Sequence, residues 1–164
     1  MALPFPLAGV DFTADALTYM LPLVAVKPTD QTVTSSTVVV SDTALFLPVL
    51  PSSKYEIDLV MTWTGVASNA TPGLKYDFTL PAGATFANFT SMGYAAGAFA
   101  FNIENAGTPA SYASGATTSN HLVRGLLVVG VTAGNFQLQW AQGISSATST
   151  VMKANSFLTA RRIA

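Results

Sequence analysis

The residues best suited to acid–base chemistry are Glu56 and Asp58, two positions apart in an alternating stretch. In an extended strand, positions i and i+2 point to the same side, so the two carboxylates share one face. A glycosidase needs two carboxylates flanking a cleft, one of them held protonated by apolar surroundings. Nothing in the sequence around this pair supplies such a pocket, and a solvated strand face accounts for both. Lys75 and Asp77 repeat the pattern. Cross-strand pairing of these with Glu56 or Asp58 is the expected use, worth about 0.2–1 kcal/mol per pair. His121 is the single histidine, with Arg124 three residues on and no cysteine anywhere in the chain; it reads as structural. Gly-x-Ser-x-Gly does not occur, nor does a glycine-rich turn of the phosphate-binding or dinucleotide type. The reading assigns no catalytic, cofactor-binding or metal-ligating residue and expects a protein that is not an enzyme.

Composition narrows the classes further. The chain has 164 residues, enough for one domain with a real core. Half of its residues are hydrophobic and only 9% are charged, against about 25% in an average soluble protein. Much of its surface must be neutral. The net charge of −1 provides no field for phosphate backbones or anionic lipid, so neither nucleic acid nor membrane is an expected partner. Mean hydropathy is +0.44, but the uncharged stretches 78–103 and 125–152 are broken by Pro81, Gly83, Asn88 and by Gln137, Gln139, Gln142. Neither resembles the run of about 20 apolar residues that a membrane helix needs. The first ten residues lack the basic start of a secretory signal, and the chain is read as soluble and unprocessed.

Residues 1–26 differ from the rest. Pro4, Pro6 and Gly9 make an extended lead-in, Thr13 caps a short helix over residues 14–21, and Pro22 ends it. A helix this short needs a surface to dock on. From Lys27 onward the pattern is strands. Tyr55, Ile57, Leu59, Met61 and Trp63 alternate with Glu56, Asp58 and Thr62, with Val60 as the one apolar residue on the wet side. Leu74, Tyr76, Phe78 and Leu80 alternate in the same way, as do Phe136, Leu138 and Trp140. Further strands are expected over 32–40, 44–49, 85–89, 99–103, 121–129 and 151–163. The nearly continuous apolar run 122–129 fits a strand covered on two faces, in the sandwich interior or at a subunit contact. Residues 93–120, rich in Gly, Ala, Ser and Thr, read as a loop excursion around one short strand. About eight or nine strands without intervening helices indicate an all-β fold, an antiparallel β-sandwich or jelly roll over residues 27–164, preceded by an arm over residues 1–26.

Asn135, Gln137 and Gln139 form a polar face without charge, able to bond to each other, to backbone edges or to sugar hydroxyls. Trp140 points to the opposite side and offers a sugar no stacking surface. Subunit packing is the preferred use, and Gln137, Gln139 and Arg161 are the expected interface residues, Arg161 meeting a carboxylate of a neighbouring subunit.

Several stretches resemble a domain of actinobacterial tailed phages found in head fibres, capsid decoration proteins and minor tail proteins. They are Phe12-Thr13-Ala14-Asp15-Ala16-Leu17, Lys27-Pro28-Thr29-Asp30-Gln31-Thr32-Val33-Thr34-Ser35-Ser36-Thr37 and Tyr55-Glu56-Ile57-Asp58-Leu59. Leu80-Pro81-Ala82-Gly83-Ala84-Thr85, Leu138-Gln139-Trp140-Ala141-Gln142 and Phe157-Leu158-Thr159-Ala160-Arg161-Arg162-Ile163 follow in order. The motifs are short and none is catalytic. The resemblance implies a structural protein on the outer surface of the virion, made in the bacterial cytoplasm and associating as a homotrimer. The short lead-in favours the head, because a tail fibre carries a long shaft before its tip. The first expectation is therefore a capsid decoration protein, bound to the major capsid protein through Phe5, Leu7, Phe12, Leu17, Tyr19 and Met20 of the arm. The alternative is a tail-fibre or minor tail module that binds a host receptor or host-surface glycan, with residues 93–120 as contact loops.

Overall fold

A computed structural model describes residues 21–65, 68–95, 98–114 and 118–164. The expected helix over 14–21 and all six expected arm anchors lie outside these, Leu21 alone excepted. The described residues form twelve strands: β1 Leu23–Val26, β2 Gln31–Val33, β3 Val40–Val49, β4 Lys54–Thr64, β5 Ser68–Thr79, β6 Thr85–Ala95, β7 Ala98–Asn105, β8 Ala110–Ser114, β9 Ser119–Val128, β10 Gly134–Ala141, β11 Thr150–Met152 and β12 Phe157–Arg162. No helix occurs among them. The larger sheet runs β1-β12-β4-β9-β6-β7, with β2 and β11 extending it beside β4, and the smaller runs β3-β10-β5-β8. Every pairing is antiparallel.

Setting aside the β6–β7 hairpin and the three-residue strands β2 and β11 leaves eight frame strands. They lie in the order first, eighth, third, sixth in one sheet and second, seventh, fourth, fifth in the other, which is the double Greek key of a jelly roll. The hairpin is an insertion between the fourth and fifth frame strands and widens the larger sheet by two.

The strict alternation of β4 explains its place at the centre of the larger sheet. Tyr55, Ile57, Leu59, Met61 and Trp63 are all buried against Leu45, Leu47, Leu74, Tyr76, Phe136, Leu138 and Trp140. Phe78 stacks on Phe136 at 4.9 Å and meets Phe86 edge-on at 5.2 Å. Phe86 and Phe89 both reach this core although three positions separate them. Asn88, at φ 53°, inserts an extra residue there, and the β6 register shifts between Ala87 and Phe89. Gly125 of β9 is the counterpart: a Cβ at this position would lie 2.4 Å from the Cβ of Phe89.

Four expectations change. The strand expected over 32–40 is interrupted at Ser35, which has φ 52°. The backbone of Ser36 is held there by Gln142, whose Oε1 accepts from the Ser36 N–H at 3.1 Å. The strand expected over 151–163 is split by Asn155 at φ 66°, and Ser156 turns its hydroxyl to the Lys153 carbonyl. Residues 93–120 are not a loop around one strand; apart from residues 106–109 and 118, those described belong to β6, β7, β8 and β9. Small residues there form strands because distant partners supply the ladder, on both sides of β6 and β9 and on one side of β7 and β8. Finally, Leu23–Val26, read as the end of the arm, pair with β12, and Leu23 and Ala25 pack on the core.

Candidate functional site: the outward face of the larger sheet

The register of the larger sheet lines up one residue from each of its six main strands. Val26 pairs with Phe157, Phe157 with Val60, Val60 with Leu122, Leu122 with Met92, and Met92 with Phe101. Five of the six alternate with buried or core-packed residues, and Phe101 alternates with Asn102, which bonds inward to Tyr112, so all six point outward. The result is an unbroken apolar row across the whole sheet. Phe101 is 72% exposed and Ile103, two positions along, 75%, whereas Leu122 is 39% and Phe157 36% exposed. The row is most exposed at its β7 end, exposed again at the β1 end, where Val26 is 54% exposed, and more covered over β12, β4 and β9.

Charges flank the row but are spent within the chain. Arg161 of β12 lies opposite Glu56 of β4 and bonds to it, Nε to Oε2 at 3.0 Å. Arg124 of β9 lies opposite Asp58, Nε to Oδ1 at 2.5 Å, and this partner raises the already high pKa of Arg124 further. The acid pair singled out in the sequence is thus two surface ion pairs. The carboxylate that Arg161 meets belongs to its own chain. Lys75 and Asp77 do not join them, contrary to expectation: both lie on β5 of the other sheet. Lys75 bonds to the Thr37 carbonyl, and Asp77 accepts from the Gly107 N–H at 2.9 Å.

The remaining expected interface residues are not brought to this face. Gln137 and Gln139 are on β10 in the smaller sheet, on the side away from Phe136, Leu138 and Trp140. They and Arg161 therefore lie on opposite sides of the sandwich and form no common patch. Gln137 donates to the Asp42 carbonyl at 2.9 Å. Gln142 is buried and serves the loop, donating to the Thr148 carbonyl at 2.8 Å. Leu122 and Leu126 face outward while Val123 and Leu127 face the core. Of the two readings of the run 122–129, cover from within the sandwich therefore fails for its outward half.

Two buried polar clusters were not foreseen. In the first, the Lys27 ammonium lies 2.8 Å from Oδ2 of Asp42 and 3.0 Å from Oε1 of Gln31, with Lys27 and Asp42 almost fully buried. Asp42 also accepts from the Ala44 and Leu45 N–H groups and from the Trp140 indole at 3.1 Å. Every oxygen of the carboxylate is satisfied, as a buried charge requires.

In the second, Glu104 of β7 accepts from the hydroxyls of Tyr76, Tyr112 and Ser91 between the sheets. Asn102 donates to the Tyr112 oxygen at 3.0 Å. Because the Tyr76 hydroxyl donates to Glu104, it accepts from His121, 3.2 Å away, which places the imidazole proton on Nε2. Burial pushes the His121 pKa down to about 3. Burial, reinforced by the bond to Glu104, pushes Tyr112 up to about 12 and Tyr76 further in the same direction. The ring of His121 fits because position 93 is glycine: a Cβ there would lie 2.0 Å from Nδ1. The two tyrosines and His121 therefore stay neutral near pH 7, and the cluster is a brace between sheets.

Among the described residues no group of three or more His, Asp or Glu converges in a way that could hold a metal ion, and no helix is long and apolar enough to cross a membrane. No protein-family model matches the chain, and no curated protein matches it.

Proposed function

We propose that this chain is a non-enzymatic structural protein of a tailed-phage particle: a homotrimeric decoration protein seated on the outer surface of the capsid through residues 1–20. The observation that carries the reading is the six-strand apolar row on an outward sheet face of a chain with only 9% charged residues. Such a face costs solubility in a lone copy and gains from burial, at about 25 cal/mol per Å². The ordered resemblance to phage head and tail surface domains supports the same reading. The clusters around Lys27 and Glu104 are closed by their own hydrogen bonds and serve cohesion rather than turnover.

The head reading is preferred to the glycan-binding tail module. Residues 93–120, the contact loops of that alternative, lie largely in strands, and the amides of Gln137 and Gln142 are engaged inside the chain. The test is co-sedimentation of the full chain with capsids of the phage that encodes it, alongside Phe12→Asp and Tyr19→Asp. Wild-type binding lost in both variants supports the reading; binding to tails or host cell wall in place of capsids overturns it.

A further inference from the structure

We infer that three copies of this chain meet through the outward face of the larger sheet, the proud β7 end of one copy seated on the recessed β12–β4–β9 stretch of the next. The inference rests on the trimeric reading above and names the surface that trimer uses.

Area is the first argument. The strands β1, β12, β4, β9, β6 and β7 hold 4, 6, 11, 10, 11 and 8 residues, and strand alternation allots about half of such positions to one face. An outward residue occupies about 6.7 Å along its strand and about 4.8 Å across the sheet, which makes a face of roughly 800 Å². In a ring of three each copy divides this face between two neighbours, and the total it gives up is comparable to the roughly 800 Å² a partner buries in one stable interface.

Charge is the second. Glu56 with Arg161 and Asp58 with Arg124 neutralise each other in place. Lys54, exposed at the start of β4, is the one further charge on these strands' outward side among the described residues, so an identical copy meets little unbalanced charge, while a strongly acidic or basic partner finds a single lysine and no cluster.

Shape decides between arrangements. The proud residues Phe101 and Ile103 and the recessed residues Phe157, Val60 and Leu122 are different surfaces of one chain. A contact between unlike surfaces is heterologous, and it closes into a ring only where the rotation between copies closes, which for three copies is a third of a turn. β7 also ends the sheet as an eight-residue strand, AFAFNIEN, without proline, lysine or arginine. Its one charge, Glu104, is turned inward to the tyrosines. Among the described residues no strand pairs with the outer side of β7; an open edge aggregates unless something covers it, and the next copy's face is a defined cover.

The test is sedimentation velocity on the full chain and on Phe101→Asp, Leu122→Asp and, on the other sheet, Gln139→Glu. The expected result is a wild-type trimer, retained in Gln139→Glu and weakened about a hundredfold or more in the other two, with near-UV circular dichroism unchanged. Phe101 is 72% exposed and lies outside the core cluster, so that variant decides the matter should Leu122→Asp fail to fold. A wild-type trimer that survives Phe101→Asp overturns the choice of face and leaves the trimeric reading standing. A wild-type single copy overturns both. Trimeric variants that no longer co-sediment with capsids would assign the face to the shell and overturn this inference alone.

Discussion

Arg161 and Glu56 stand directly opposite one another on β12 and β4, guanidinium to carboxylate, at the rim of the apolar row. An arginine expected to reach a neighbouring subunit is instead satisfied within its own chain, so in the proposed assembly the apolar residues, not the ions, are the driving contacts. Both side chains are substantially exposed, and exposed pairs contribute about 0–1 kcal/mol. Arg161→Ala should therefore move the urea midpoint little and leave the solution mass unchanged. A loss of association in that variant would restore the ionic contact as the driver.

Lys27 behaves differently because neither it nor Asp42 reaches water. Replacing Lys27 by Met leaves a buried, unpaired carboxylate, a class of change that costs about 3–5 kcal/mol. Equilibrium unfolding of Lys27→Met should show a loss of that order, and a loss below about 1 kcal/mol would contradict the buried pairing.

The folded pKa of His121, about 3, lies below the ordinary value of 6.5. Its contribution to stability is therefore complete above pH 6.5 and is lost as the pH falls from 6.5 toward 3, when the unfolded chain takes up a proton that the folded chain refuses. The slope is about 1.4 kcal/mol per pH unit. Urea midpoints between pH 7 and pH 4 should fall more steeply for the wild type than for His121→Phe, the two curves converging in acid. Parallel curves would show that the imidazole is not buried neutral.

Gly125→Ala should be among the most damaging single-methyl changes. The added carbon falls 2.4 Å from Cβ of Phe89 and 2.8 Å from the ring of Phe86, so the bulge at Asn88 must shift. Overpacking of this kind costs about 1–3 kcal/mol. A thermal midpoint equal to the wild type would mean that β6 and β9 are not so closely apposed.

Much of the frame was legible because alternation marks a strand with one face in the core. Tyr55 to Trp63, Leu74 to Phe78 and Phe136 to Trp140 show it, and each is central in its sheet. The candidate face was half legible as well: Val60 on the wet side of β4 and the doubled apolar pattern after Leu122 are two points of the row, but only the cross-strand register joins them to Phe157 and Phe101. The breaks at Ser35 and Asn155 were hidden because non-glycine residues adopt positive φ there, held by long-range hydrogen bonds. β6, β7 and β8 were obscured by glycine, alanine and serine, whose strand state depends on neighbours distant in sequence. Lys27, Asp42 and Glu104 look like ordinary surface ions until their partners are known; nothing local marks a charge that folding will enclose.

The mass of the full chain in solution, measured by light scattering behind size exclusion, bears most directly on whether the outward face of the larger sheet is a meeting surface. Three times the 17.0 kDa chain mass, about 51 kDa, is the predicted value. A stable, monodisperse species of 17.0 kDa at micromolar concentration would contradict it.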